Sequence, residues 1–206
     1  MHRKALTHLR KCDPVLKRVI ADVGTCGFRA HAEGDHLHAL VRSIVYQQLS
    51  GKAAATIHGR LLQLFDNGRP TPSQLLAVPD ASLRGAGLSR QKVAYLRDLA
   101  ERASSGALQL DAIESMDDAA IEDALVSVKG IGRWTAQMFL MFRLGRPDVL
   151  PDGDLGIRKG VMRAYRLRKL PSPARVREIG ATWSPYSSIA SWYMWRVLDV
   201  PVRRVR

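Results

Sequence analysis

At 206 residues, with 46% of them hydrophobic, the chain can form one compact unit or two small lobes around a shared cleft. Its 32 Lys and Arg against 19 Asp and Glu give a formal charge of +13, which points to a polyanion, either nucleic acid or an anionic membrane surface. No apolar run reaches ~18 residues, which excludes a bilayer-spanning helix, and Cys12 and Cys26 are too few for a disulfide framework or a four-thiolate iron–sulfur cluster.

In chain order, a basic segment from His2 to Arg18 leads into a helix that Asp13 caps and Pro14 begins, with Val15, Leu16, Val19 and Ile20 on its apolar face. Gly24 and Gly27 end it. His31, His36 and His38 follow without the Cys or carboxylate spacing of a metal site, and read as loop and helix-start histidines. Two helical segments occupy 37–66, with Leu37, Leu40, Val41, Ile44 and Val45 in the first and Ala54, Ile57, Leu61, Leu62 and Phe65 in the second. Between them, Tyr46-Gln47-Gln48-Leu49-Ser50-Gly51 is a turn in which Ser50 caps the second helix.

Gly68–Pro72 is a stiff connection, with Ser73 as the expected cap of the next helix. The glycine-spaced turn Leu83–Ser89 opens a helix over Arg90–Ala103, where Arg90 and Lys92 are candidate phosphate contacts. Asp117-Asp118 caps a helix running to Ser127. Trp134–Leu144 is apolar on nearly every face and is expected to be a buried central helix. The segment Pro147–Gly153 then leads to a helix over Leu155–Arg168, and two last helices span Ala174–Ala181 and Ser187–Leu198. Strand-like alternation is scarce, so the fold class is all-α.

The turn Val128-Lys129-Gly130-Ile131-Gly132 is where the chemistry concentrates. Two glycines one residue apart permit positive φ and keep side chains off the turn, leaving N–H groups exposed at the start of the next helix, where the dipole favours an anion. Lys129 and Arg133 lie at that positive end, a cost that a docked phosphate would reverse. Downstream, Asp154 precedes Leu155 at a helix start. Capping is its bland role, and Asp152 competes for it.

Helix, GIG turn and helix, followed by PDGDLG, resemble the helix–hairpin–helix DNA glycosylase superfamily. GIGRWTA and the upstream SIVYQQLSGKAA (Ser43–Ala54) are similar to its 3-methyladenine DNA glycosylase II branch. The resemblance, which covers roughly Leu37 to Trp195, implies two helical lobes around a cleft, 36–149 against 1–35 with 150–206. It makes Asp154 the catalytic carboxylate and Trp134, Trp195 and Met138 the lining of a base pocket. It places Lys129, Gly130, Ile131, Gly132, Arg133 and Thr135 in a DNA-backbone clamp, and Gln48 or Leu49 as the wedge that fills the gap left by an extruded base.

Met138 departs from the better-known pattern, which has a tyrosine there. Trp134 stands where relatives that also cut the backbone carry a Schiff-base lysine, so the implied enzyme removes a base and has no lyase activity. The implied reaction is hydrolytic release of an alkylated purine such as 3-methyladenine or 7-methylguanine, whose positive charge suits an electron-rich indole. No organic cofactor or iron–sulfur cluster is expected. A Na⁺ or K⁺ ion on the hairpin carbonyls is compatible with the family. The expected partner is double-stranded DNA, bound by a monomer in the cytoplasm, at the nucleoid in a bacterium. Two other readings fit parts of the chain: a glycosylase for neutral lesions such as uracil or mismatched bases, and a non-catalytic hairpin module.

Overall fold

A computed structural model describes residues 2–30 and 34–201, so His31 lies outside the described residues. These hold twelve α-helices, two short 3-10 segments and no strand. In order the helices are α1 (Arg3–Cys12), α2 (Pro14–Val23), α3 (His36–Tyr46), α4 (Gly51–Leu62), α5 (Pro72–Ala77), α6 (Asp80–Gly85) and α7 (Arg90–Ser104). Then come α8 (Asp118–Val126), α9 (Arg133–Phe142), α10 (Leu155–Ala164), α11 (Pro173–Gly180) and α12 (Ser187–Arg196), with the 3-10 segments at Leu110–Ser115 and Ala181–Trp183. The chain divides into two compact units, Met1–Ala30 with Gly145–Arg206, and His31–Leu144.

The unit that joins both ends of the chain is built on Asp13. This carboxylate, 6% exposed, caps α2 by accepting from Val15 N (2.8 Å) and Leu16 N (3.0 Å). Its second oxygen accepts from Trp183 Nε1 at 3.0 Å and from the Tyr165 hydroxyl. Burial, reinforced by Asp13, pushes the Tyr165 phenol well above its ordinary value. Leu9, Leu16, Ile20, Ile157, Val161, Trp183 and Met194 fill the core around it. Gly160 lets α12 lie directly on α10, since a Cβ there would fall 1.9 Å from the carbonyl oxygen of Met194.

The other unit packs α3 to α9 around Leu40, Ile44, Leu61, Leu75, Leu96, Leu99, Ile121, Leu125 and Leu140. Ser50 caps α4 and Asp117 caps α8, both as read from the sequence. The cap of α5 is Thr71 instead of Ser73. Thr71 forms a reciprocal box with Gln74, which pulls the helix start forward to Pro72.

Four further expectations are corrected. The basic N-terminal segment folds as α1, with Ala5 and Leu9 buried one turn apart. The helix after Asp154 stops at Ala164, because Tyr165 leaves helical geometry and Arg166 is left-handed at φ 56°. The boundary expected at 149/150 falls at 144/145. The reason is that residues 146–149 bond to the α12 entry: Ser188 Oγ donates to Arg146 O (2.6 Å) and accepts from Val149 N (3.0 Å), while Asp148 accepts from Ser184 and Ser187. The matching boundary, expected at 35/36, falls at 30/31. Asp35 caps α3 and Gly34 O accepts from Arg143 Nη2 at 2.6 Å, which ties both to the α3–α9 unit.

Candidate functional site

The hairpin between α8 and α9 closes through Ile131 N donating to Val128 O (3.0 Å), with Gly130 at φ 82°. Gly130 is doubly required, since a Cβ would sit 2.2 Å from the Tyr95 ring. Gly132, the N-cap of α9, has nothing within 4 Å of its would-be Cβ and no side chain capping the helix. Its bareness therefore serves no internal packing.

The two cations at this end of α9 are held by carboxylates, which offset the dipole cost expected of them. Lys129 Nζ lies 3.5 Å from Asp98 Oδ1, and Arg133 Nε lies 2.8 Å from Glu122 Oε1. Asp98 is 7% exposed and also accepts from the Lys129 amide (2.9 Å) and from Arg102 Nε (2.8 Å). Burial alone raises its carboxyl pKa, but the bond from the Lys129 amide and then the Arg102 guanidinium outweigh this and hold it below its ordinary value.

The turn between α3 and α4 carries the wedge candidates. Gln48 is exposed and left-handed at φ 57°, and Leu49 is 39% exposed, a large share for a leucine. The neighbouring Gln47 turns inward, and its Nε2 donates to Gly130 O at 2.8 Å. Lys92 donates from Nζ to Val45 O (2.6 Å) and Gln47 O (2.7 Å). Lys92 is thus a cap on the last carbonyls of α3, and not the phosphate contact expected; burial draws its pKa down.

In the other unit, Asp154 caps α10, and Oδ1 accepts from Ile157 N at 2.7 Å. The same oxygen accepts from Trp195 Nε1 at 2.8 Å, so the structure brings two predicted site residues together. Gly156 makes this pairing possible, since a Cβ there would lie 2.7 Å from Trp195 Cδ1 and 3.0 Å from Asp154 Oδ1. Asp152, the rival cap, is buried (2% exposed) and paired with Arg177.

The expected burial of the whole helix at 134–144 is also corrected. Thr135, Ala136, Gln137, Phe139, Leu140 and Met141 are buried in α9, whereas Trp134 is 52% exposed and Met138, one turn on, is half-buried. Thr135 thus belongs to the packing of the clamp and not to its surface. Trp134 and Met138 form an open stripe on the hairpin's second helix. His36 meets Glu114 (3.3 Å) and Arg143 (3.2 Å), and His38 lies edge-on to His58.

The profile of the HhH-GPD superfamily of base excision DNA repair proteins matches residues 41–185, a stretch holding the wedge turn, the hairpin and Asp154. The chain belongs to this superfamily. DNA-3-methyladenine glycosylase 1 of Schizosaccharomyces pombe is 34% identical over 196 residues, covering 94% of this chain and 86% of that protein. The S. pombe 3-methyladenine DNA glycosylase in complex with abasic DNA has a TM-score of 0.78 at 33% identity, over 93% of this chain and 95% of that one. A DNA-3-methyladenine glycosidase from Bacillus halodurans has a TM-score of 0.85 at 36% identity, over 93% of this chain and 87% of that one.

Four residues of this superfamily member escaped the sequence reading: Gln47, Asp98, Gly156 and Gly160. The first two act over separations of 83 and 31 residues, for which a single sequence carries no signal. The glycines at 156 and 160 did leave one, a four-residue spacing along one helix face, the pattern that lets another helix approach closely.

Proposed function

We propose that this protein excises alkylated purines from double-stranded DNA by hydrolysing the N-glycosidic bond, and leaves an abasic strand intact. The observation that carries the reading is the Asp154 carboxylate. It is held at a helix N-terminus by Ile157 N and Trp195 Nε1, in a chain of the base excision superfamily whose relatives are named 3-methyladenine glycosylases. Departure of the base leaves oxocarbenium character on the sugar, and an oriented anion stabilises that charge. The same carboxylate orients or deprotonates the attacking water.

The bare start of α9, with Lys129 and Arg133 beside it, suits a backbone phosphate and is indifferent to sequence. The left-handed Gln48 and the exposed Leu49 suit the space an extruded base vacates. The exposed indole of Trp134 suits a cationic base, and it has no amine with which to attack the sugar; the Arg133 guanidinium, always protonated, cannot replace one. Hydrolysis without strand cleavage follows.

The hairpin turn also fits a monovalent cation. Among the described residues, Val128 O accepts from Ile131 N and Gly130 O accepts from Gln47 Nε2, and a carbonyl oxygen has a second acceptor site for an ion. Such an ion would add positive charge facing the phosphate. The reading further includes action as a monomer in the cytoplasm, without an organic cofactor or an iron–sulfur cluster.

The test is release from defined duplexes carrying 3-methyladenine, 7-methylguanine, 1,N6-ethenoadenine or uracil, with the product strand run without heat or alkali. The methylated purines should be released and the strand should stay whole. Asp154→Asn should abolish release with DNA affinity within a few-fold of wild type, since Asn remains a good N-cap. Release of uracil alone, a borohydride-trapped adduct, or full activity in Asp154→Asn would each overturn the reading.

A further inference from the structure

Asp98 supports the hairpin from α7, on a face that also carries Tyr95, three residues before it, and Arg102, four after. All three meet the hairpin segment. The Tyr95 ring lies against Gly130, whose would-be Cβ falls 2.2 Å from it. Asp98 accepts from the Lys129 amide at 2.9 Å, and Arg102 Nη1 donates to Ser127 Oγ at 3.3 Å. Ser127 Oγ in turn donates to Ala124 O at 2.7 Å, which ties the end of α8 to the same support.

A carboxylate is an odd support for a turn that takes a phosphate, because its charge opposes the ligand. The division of partners between its two oxygens resolves this. Oδ2 accepts both fixed bonds, from the Lys129 amide and from Arg102 Nε at 2.8 Å. Oδ1 meets a different kind of partner, the Lys129 ammonium at 3.5 Å. The Lys129 side chain is 71% exposed and that of Asp98 only 10%, so one partner can swing into solvent and the other cannot. Burial raises the Asp98 carboxyl pKa, yet the Lys129 amide and Arg102 hold it below its ordinary value, so the anion persists at neutral pH.

Among the described residues, one negative charge thus faces two cations. Arg102 alone neutralises it, and Lys129 is in excess. An ion pair as exposed as that of Lys129 is weak, so a phosphate seated at the start of α9 competes for the ammonium on even terms. When the ammonium leaves, no bond to Oδ2 breaks and the hairpin keeps its shape.

We propose that Asp98 is a positioning residue whose two oxygens have separate duties. Oδ2 holds the hairpin in shape, and Oδ1 latches the Lys129 ammonium until a DNA phosphate draws it away. The inference rests on the phosphate-gripping role proposed above for the hairpin. It makes Asp98 a brake on that grip, because each phosphate taken must displace the latch.

The latch predicts opposite effects from two substitutions at one position. In Asp98→Asn the amide oxygen takes the place of Oδ2 and keeps both bonds, while the NH2 group replaces Oδ1 and releases Lys129. Undamaged duplex, measured by fluorescence anisotropy at fixed salt, should then bind about two- to fivefold more tightly. Asp98→Ala removes both oxygens and should bind more weakly than wild type, with a lower melting temperature. Lys129→Gln should weaken binding, and adding Asp98→Asn to it should restore little or none of the loss. A further measurement leaves Asp98 in place: with isotope-labelled lysine, the Lys129 ε-methylene NMR signal should shift on adding duplex while the Lys129 amide stays slow to exchange with solvent. A gain from Asp98→Asn that is equal with and without Lys129 would reduce Asp98 to a nearby negative charge and overturn the latch. So would weaker binding by an Asp98→Asn protein that melts like wild type, or an ε-methylene signal that duplex leaves unmoved. Wild-type affinity in Lys129→Gln would instead refute the grip of the hairpin itself, and the latch with it.

Discussion

Gly156→Ala isolates the bond between Trp195 and Asp154. The new methyl would fall 2.7 Å from Trp195 Cδ1, 2.9 Å from Trp195 Nε1 and 3.0 Å from Asp154 Oδ1, so the indole must swing away and its 2.8 Å bond to the carboxylate is lost. A hydrogen bond to a charged group contributes about 1.5–3 kcal/mol. If all of it serves to orient the carboxylate, excision slows roughly 10- to 150-fold. Alanine is meanwhile the better helix former by about 0.8–1 kcal/mol, which offsets part of the lost bond in the folded state. Stability should therefore change by less than about 2 kcal/mol while the rate falls by one to two orders of magnitude. Single-turnover release of 7-methylguanine at saturating enzyme, beside a thermal melt of the same sample, measures both. Trp195→Phe, which removes the donor without crowding the helix, should reproduce the rate loss. Wild-type rates in both variants would sink the reasoning, as would a rate loss wholly explained by weaker DNA binding.

The two hairpin glycines should separate. Gly130→Ala meets the Tyr95 ring and a positive φ and should destabilise the fold, whereas Gly132→Ala meets open space and should spare the melting temperature while weakening binding to damaged and plain duplex alike. Equal melting losses in the two would contradict this. Trp134→Ala, at a 52% exposed position, should cost far less than the ~3–5 kcal/mol of a core aromatic and should erode the preference for cationic over neutral lesions; a core-sized loss of stability would refute the pocket role. His58, held near 4 against an ordinary value of 6.5, binds its proton more readily unfolded than folded, so stability is full above about pH 6.5 and falls as pH drops toward 4, by up to roughly 3 kcal/mol. His36 is lowered too and acts in the same window, so the measure is the difference between wild type and His58→Leu in urea titrations without phosphate; identical pH slopes would dismiss the effect.

What could be read in advance divides by range. Asp13, Ser50, Asp117 and Asp154 each cap a helix through amides two or three residues away, and such local chemistry is written in adjacent letters. The hairpin glycines and Asp154 stood out for the same reason. Local chemistry can still mislead: the lysines and arginines of α1 hide the Ala5–Leu9 pair, and Thr71 took the cap from Ser73 because Gln74 closes a box with it. Long-range partners could not be inferred. Trp195 reaches Asp154 across 41 residues, and Lys92 spends its ammonium on carbonyls 45 and 47 residues earlier. Both depend on how the helices stack, which periodicity within any one helix does not encode.

Gln47 and Lys92 have a mechanical meaning beyond the bonds they make. Gln47 ties the turn bearing Gln48 and Leu49 to the hairpin, and Lys92 ties it to α7, so in the function proposed above probe and grip would move as one jaw. A protein that slides or hops along duplex with such a jaw presents its probe at a constant offset from each phosphate it takes hold of. Intact, well-stacked steps would deflect the probe and weaken the grip together, shortening the pause. A weakened base pair would admit the probe and lengthen the stay. Discrimination would then begin as dwell time, before any base reaches the carboxylate.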